Sequence, residues 1–150
     1  MSLLTRVRAA LEGVSYSWLA LPLRAAVAVV FWNSAMTKLA NWDTALTLFA
    51  EEYKVPVLSP QAAAYLTVGI ELTAPVLLVL GFLTRPTALL LLGMTAVIEI
   101  FVYPQAWPTH LQWAAMLLVL LCRGPGKLSL DRLLARRLAS SVAIPPRSRT

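Results

Sequence analysis

The sequence predicts an all-α fold, namely a polytopic membrane protein built as a four-helix bundle with amphipathic surface helices at the N-terminus, in the first loop and at the C-terminus. Hydrophobic residues make up 59% of the 150 residues and charged residues only 13%, and the mean hydropathy is +0.71. A soluble domain is about 45–50% apolar and about 25% charged. One soluble core of this length would leave much of the apolar surface exposed, which excludes a soluble globular domain.

The N-terminal segment, residues 3–18, has apolar side chains at helical spacing and charged or polar side chains on the other face. This pattern is typical of an amphipathic helix that lies on a membrane surface, and we expect it on the cytoplasmic side. A secretory signal peptide would need an apolar h-region and a small-residue cleavage site. Neither is evident in this segment.

Four apolar segments have about the length of a membrane span, which needs about 20 residues. We expect spans at residues 18–39, 61–82, 86–103 and 107–122. Residues 1–139 then form a single membrane domain, followed by a disordered cytoplasmic tail at residues 140–150.

Short helices are predicted outside the spans as well. Asp43 is a suitable N-cap for a helix over residues 44–54 in the first loop, and Ser59 with Pro60 is typical of the start of the second span. In the tail, Ser129 is a suitable N-cap for a helix with a leucine stripe over residues 130–138. We expect this last helix on the membrane surface.

The distribution of lysine and arginine predicts the orientation. With four spans, most basic residues fall on one side, which places both termini in the cytoplasm, and we expect a bacterial inner membrane. The net charge is +6, and the basic residues cluster beside apolar segments. We therefore expect them to contact anionic membrane lipids and not nucleic acid.

The chain has one cysteine, Cys122, and one histidine, His110. These two residues exclude an intrachain disulfide, a Cys-x-x-Cys redox motif, bis-histidine haem ligation and a Cys/His zinc site. We therefore expect no haem, no iron–sulfur cluster and no metal site.

Four ionisable residues fall in the outer half of the predicted spans, one on each helix: Lys38, Glu71, Glu99 and His110. A charge at mid-membrane costs about 2.5–3.5 kcal/mol or more, so these groups should turn away from lipid and meet one another or water. We expect a polar pocket, open or nearly open to the outer side, that binds a ligand or relays protons, with Asn33 and Tyr103 as further candidates. The alternative is that such pairs only hold the helices together.

Three further residues are expected to have structural roles. Arg24 should pair near the cytoplasmic face, with Asp131 as a candidate partner. Pro75 removes the backbone hydrogen bond to the carbonyl of Glu71, because proline has no N–H.

The order and spacing of several short motifs resemble the DoxX family of small four-helix membrane proteins over about residues 21–134. The matching residues are Arg24, Lys38-Leu39, Ile70-Glu71-Leu72, Gly81-Phe82-Leu83-Thr84-Arg85-Pro86, Phe101-Val102-Tyr103-Pro104 with Trp107 and His110, and Gly124-Pro125-Gly126 with Ser129-Leu130-Asp131.

The resemblance implies association with redox enzymes. The family is named from a subunit associated with thiosulfate:quinone oxidoreductase and a terminal quinol oxidase. Another member belongs to an oxidative-stress complex with a superoxide dismutase and a sulfurtransferase, and others accompany metal-handling or maturation genes. The resemblance supplies no catalytic residue for this chain.

Three functions remain open at this point. The first is a redox-associated membrane subunit whose pocket binds quinone or relays protons, with electrons from a protein partner, since no self-contained catalytic centre is evident. The second is a non-enzymatic scaffold or assembly factor for a partner complex. The third is a small-solute or metal-ion carrier, for which a homo-oligomer would be needed.

Overall fold

The computed structural model describes residues 2–53 and 55–142, and within these ranges it contains helices and no strand. The all-α prediction is therefore confirmed. The helices, in chain order, are α1 (Leu3–Glu12), α2 (Tyr16–Ala40), α3 (Trp42–Leu48) with a π-helical turn (Phe49–Tyr53), α4 (Pro60–Leu80), α5 (Thr84–Val97) with a second π-helical turn (Ile98–Val102), a 3₁₀ turn (Pro104–Ala106), α6 (Trp107–Arg123) and α7 (Leu130–Val142).

Three helical segments of the described residues are long and apolar enough to cross a membrane: Tyr16–Ala40, Pro60–Leu80 and Thr84–Val102. The protein is thus a membrane protein with several apolar helices. The fourth predicted span corresponds to α6, which has 17 residues.

The long helices pack side by side around one apolar core. α2 packs along α4 and also meets α6, α5 packs along α6, and α4 meets α5 only sparsely. Large buried side chains from all four helices fill the centre, among them Phe31, Leu78, Leu91, Leu117 and Leu120. The sparse contact between α4 and α5 leaves a seam on one side of the molecule.

Local hydrogen bonds explain where several helices begin. Ser59 accepts a hydrogen bond from the backbone of Ala62, and Pro60 is the first helical residue, as the sequence predicts for the second span. Ser129 accepts from the backbone of Arg132, as predicted for the tail helix. A short turn at residues 81–83 joins α4 to α5, and Gly81 and Leu83 adopt left-handed conformations there, with φ of 65° and 49°.

Three boundaries differ from the prediction. The N-terminal helix ends at Glu12 and residues 16–18 belong to α2, because the side chain of Ser15 accepts from the backbone of Ser17 and starts a new helix. The loop helix begins at Trp42, so Asp43 lies in its first turn and does not cap it. The tail helix, predicted over residues 130–138, continues to Val142; residues 143–150 of the predicted disordered tail lie outside the described residues.

At the end of the molecule that holds residues 81–83, the buried side chain of Arg24 joins three segments. It donates hydrogen bonds to the carbonyl oxygens of Leu78 at 2.7 Å and of Val79, both in the last turn of α4. It also donates to the carbonyl oxygens of Pro125 at 3.1 Å and Leu128 at 2.7 Å in the segment before α7. A guanidinium suits this task because it presents five donors in a fixed plane.

The predicted pairing of Arg24 with Asp131 is wrong, because the hydrogen bonds of Arg24 go to backbone carbonyl oxygens and not to this carboxylate. The Asp131 carboxylate instead accepts from the backbone N–H groups of Leu83 at 2.8 Å and Thr84 at 3.1 Å. These N–H groups lie at the start of α5 and have no partner within the helix, so the acid takes the role of a cap supplied by a distant segment.

Candidate functional site

A buried ion pair links α2 to α4. Lys38 Nζ lies 2.8 Å from Oε1 and 2.9 Å from Oε2 of Glu71, whose side chain is only 2% exposed. Ser34, one turn before Lys38, donates to Glu71 Oε1 at 2.9 Å and accepts from Lys38 Nζ at 2.7 Å. The two charges are therefore satisfied by each other and by one hydroxyl, as burial in an apolar surrounding demands.

A second pair links α5 to α6. His110 Nδ1 lies 2.6 Å from Glu99 Oε2, and the imidazole is buried whereas the carboxylate is one-third exposed. Glu99 lies in the π-helical turn Ile98–Val102, and such turns occur frequently at functional sites. Among the described residues, Nε2 of His110 has no hydrogen-bond partner, so this nitrogen is available to a ligand.

A cavity of about 710 Å³ lies between these two pairs. Its wall is largely apolar and includes four of the six predicted pocket residues, namely Lys38, Glu71, Tyr103 and His110. Volumes of about 300–1,000 Å³, apolar walls and a few polar groups are typical of small-molecule sites. The cavity is thus large enough for an organic ligand.

The other two predicted residues lie outside the cavity wall. Glu99 reaches the site only through His110, to which it is hydrogen bonded. Asn33 is exposed and lines a separate shallow groove between α2 and α4, together with Pro75. Asn33 points elsewhere because it directly precedes Ser34 on the same helix, and successive residues are about 100° apart around the axis.

An aromatic cover, supplied by the π-helical turn after α3 and by Tyr103, forms part of the cavity wall. We define it as Phe49, Tyr53 and Tyr103, which line the cavity beside Val55. Tyr103 donates a hydrogen bond to the Tyr53 hydroxyl at 3.1 Å, and their rings meet edge to face, as do those of Tyr53 and Phe49. Burial, and after it the interaction with the hydrogen-bonded Tyr103, raises the pKa of the Tyr53 hydroxyl above its usual value.

Sequence reasoning did not single out Tyr53, Phe49 or Trp113 as site residues. The ring of Trp113 lies 5.0 Å from that of His110 and 5.7 Å from that of Phe31, so it packs between the histidine and the core. The spacing of Trp113 three residues after His110 was the available signal, since such residues share a helix face.

Within the described residues, no group of three or more His, Cys, Asp or Glu side chains lies close enough to hold a metal ion. Cys122 is exposed on α6. The donors at the cavity are instead one ammonium, one imidazole and four hydroxyls, those of Ser34, Tyr53, Thr67 and Tyr103. They suit hydrogen bonding and proton transfer to an organic molecule.

The fold and this site define a class of protein, namely an all-helical membrane protein with buried ionisable pairs beside an apolar cavity. The chain belongs to the DoxX family, whose sequence model matches residues 19–104, more than half of the chain. The matched segment holds Arg24, Lys38, Glu71, Glu99 and Tyr103, whereas His110 lies beyond it. Searches of curated proteins and of solved structures find no match.

Proposed function

We propose that the chain crosses a bacterial inner membrane four times, with α2, α4, α5 and α6 as a transmembrane four-helix bundle and both termini in the cytoplasm. α6 has 17 residues and a length of about 26 Å, which is at the short end of the range for a span. The basic residues of the turn before α5 and of the chain after α6 support this orientation, since cytoplasmic loops are rich in lysine and arginine.

The amphipathic helices α1 and α7 lie on the cytoplasmic surface in this proposal. Their apolar side chains are exposed, with Leu4 81% and Leu138 68% accessible, and the described residues of α1 are all exposed. An interfacial location would bury these side chains among lipid acyl chains and leave the arginines at the headgroups. The loop helix α3 lies correspondingly at the outer surface.

The cavity, in our proposal, binds the head group of a quinone and exchanges protons with it, which makes the protein a membrane subunit of a redox system. The observation that carries this proposal is His110, at the wall of an apolar cavity. Its Nδ1 is held by Glu99, and its Nε2 has no hydrogen-bond partner among residues 2–53 and 55–142. A quinone head group has carbonyl oxygens that accept hydrogen bonds, and an apolar ring that fits such walls. The electrons come from a protein partner.

The Glu99–His110 pair and the Lys38–Glu71 pair would act differently on a bound quinone. Glu99 holds Nδ1 and so orients the imidazole; Nε2 then accepts a proton from a quinol hydroxyl or, when it carries the proton, donates to a carbonyl oxygen. Lys38 places a positive charge on the same cavity, and Glu71 and Ser34 fix its position. The aromatic cover limits the access of water to these groups.

The test is quinone binding by the purified protein in lipid nanodiscs. Trp113 lines the cavity, so a bound quinone should quench its fluorescence in a saturable way. His110→Ala should weaken binding about tenfold or more, because a hydrogen bond to a charged group contributes about 1.5–3 kcal/mol. Gln112→Ala, at an exposed position two residues away, should bind like the wild type. The absence of saturable quenching in the wild type would contradict the proposal.

A second candidate function is a scaffold or assembly factor for a partner complex. It is favoured by the exposed leucine face of α7, which includes Leu133 and Leu134 beside Arg132. Reversal of the charges at Arg132, Arg136 and Arg137 should release a partner that binds there, as detected by co-purification in mild detergent. Retention of every co-purifying protein by this variant would contradict the tail as the docking element.

A further inference from the structure

The cavity is not enclosed by helices on every side. The seam between α4 and α5 contributes lining residues that are also exposed at the surface, including Leu66 (54%), Leu89 (60%), Leu90 (50%) and Val97 (38%). α4 and α5 meet sparsely there, whereas α2 packs closely along α4 and α5 along α6. The cavity therefore reaches the side of the helix bundle.

The rim of this seam and the interior differ in polarity. At the rim the exposed lining side chains are leucines and valines, which in a membrane would face acyl chains. Farther in, the wall carries the Lys38–Glu71 pair and His110, which are buried or half-buried. A ligand matching both regions has a polar head that hydrogen bonds and a long apolar tail.

Entry of a ligand through the aromatic cover is less favourable than entry through the seam. Phe49 is 5% exposed, and Tyr53 and Tyr103 are joined by a hydrogen bond across the aromatic cover. A water-soluble molecule that enters there has to separate these aromatic contacts. A molecule dissolved in the bilayer meets no such barrier at the seam.

We propose that the seam between α4 and α5 is a lateral entrance through which a lipid-soluble, tailed ligand passes from the bilayer into the cavity. This inference rests on the proposed transmembrane arrangement and names the class of ligand, an amphiphile resident in the membrane. The tail stays between the leucines of the rim while the head group reaches His110. Gly93, on α5, keeps the entrance wide because it has no side chain.

Gly93 provides a direct way to close the entrance. A Cβ atom added at Gly93 has no neighbour within 4 Å, and the residue lines the cavity, so a larger side chain fits without a clash at its base. Gly69 on α4 is a matched control, since a Cβ atom there also meets nothing within 4 Å and the residue does not line the cavity. Both glycines are exposed in helix interiors.

The experiment follows a cysteine placed inside the cavity, in a Cys122→Ser background. Thr67→Cys lines the cavity on α4, and Thr73→Cys lies on the exposed face of the same helix as a control. Protein in liposomes is treated with a maleimide that carries a long alkyl chain and, separately, with a charged, membrane-impermeant maleimide. The rate of labelling is measured by mass spectrometry.

We expect the alkyl maleimide to label Thr67→Cys faster than the charged reagent does. Gly93→Phe should slow this reaction about tenfold, the change that a barrier higher by about 1.4 kcal/mol produces, whereas Gly69→Phe should leave it unchanged. Labelling of Thr73→Cys should be unaffected by both glycine variants. Thermal unfolding of each variant verifies that it is folded.

Three results would overturn the lateral entrance. The first is equal labelling of Thr67→Cys with and without Gly93→Phe, and the second is labelling of Thr67→Cys by the charged reagent as fast as by the alkyl reagent. The third is no labelling of Thr67→Cys by the alkyl reagent under conditions in which Thr73→Cys reacts. The assay needs no quinone. If quinone fails to bind while Gly93→Phe still blocks labelling, the entrance stands and only the identity of the ligand in the proposed function is wrong.

Discussion

The carboxylate of Glu71 is buried among helices whose outer surface is apolar, and its charge is stable there only because of its neighbours. In the described part of the chain, Lys38 and Ser34 supply all three hydrogen bonds that reach its oxygens. Removal of one partner from a buried ion pair costs about 3–5 kcal/mol, because the other charge remains without compensation. Replacement of both partners by apolar groups costs much less for the same reason.

A double-variant cycle tests this dependence. Lys38→Met and Glu71→Leu should each lower the free energy of unfolding by about 3–5 kcal/mol, and the combined variant should lose less than the sum of the two. The measurement is thermal or denaturant unfolding in mild detergent. Additive losses would show that the two charges do not stabilise each other.

Tyr53 gives the aromatic cover a dependence on pH. Because its pKa is higher in the folded protein than in the unfolded chain, the folded state holds the hydroxyl proton more tightly, and this stabilisation is complete below about pH 10. It is lost as the pH rises from about 10 through the folded pKa. Tyr53→Phe should therefore show a smaller loss of stability above about pH 10 than the wild type. Unfolding temperatures measured in detergent across this alkaline range check the prediction, and equal slopes for both proteins would contradict it.

At the scale of single residues, the sequence predicted contacts correctly where the cost of burying a charge determines which side chains meet. The high cost of an unpaired charge in lipid predicted that Glu71 and Glu99 turn inward, and each meets a cation or imidazole, Lys38 and His110 respectively. The Tyr53–Tyr103 contact joins residues 50 positions apart, and no local pattern signals it. The acceptors of Arg24 are backbone carbonyls, which every residue carries, so side-chain identities could not reveal them.

At the scale of elements, two helices change their hydrogen-bonding pattern where they approach the cavity. The π-helical turns Phe49–Tyr53 and Ile98–Val102 meet each other, and each supplies residues to the cavity wall. A π-helical turn widens the helix locally and redirects the side chains that follow. Sequence periodicity placed both segments in helices but did not distinguish the π turns, because the extra residue per turn alters the period over only five positions.

Arg24 should be essential for holding α2, the end of α4 and the segment before α7 together. Arg24→Lys keeps the charge but loses the planar fork, so some of the carbonyl oxygens of Leu78, Pro125 and Leu128 lose a bond worth about 1.5–3 kcal/mol each. We expect a lower unfolding temperature and faster tryptic cleavage after Lys127.

Arg8→Lys is the matched control for this substitution. Arg8 forms an ion pair with Glu12 on the surface of α1, where both side chains are largely exposed. Exposed pairs contribute little to stability, so this variant should unfold and be cleaved like the wild type. The same behaviour in Arg24→Lys would show that the carbonyl contacts do not hold the segment.

For the whole molecule, the charges of the described residues are distributed unequally between the two ends of the bundle. Arg85, Arg123, Lys127 and Arg132 surround a hollow at the end that holds Arg24, and Asp43, Glu51 and Glu52 lie on the loop at the other end. The family match fixes the membrane class, and this asymmetry predicts which end faces the cytoplasm.

Labelling of intact cells tests the orientation. In a Cys122→Ser background, Thr47→Cys on α3 should react with a membrane-impermeant maleimide added outside the inner membrane. Lys127→Cys should react only after the membrane is permeabilised, because it lies at the basic end. Both positions are exposed in the structure, so burial does not limit the reaction. The reverse pattern would place the termini outside.

The short turn at residues 81–83 has a mechanical consequence. α4 and α5 are tied at this turn, where Asp131 and Arg24 hold the chain, and their opposite ends are not connected by so short a link. α4 has 21 residues and is about 31 Å long, so a tilt of about 5° at the turn moves its far end by about 3 Å. Glu71 lies 10 residues from Gly81, so the same tilt moves it by only about 1.3 Å, whereas the far end of α4 moves more than twice as far. The gap between α4 and α5 therefore varies in width mainly at the end away from the turn, and its width there depends on how rigidly the turn is held.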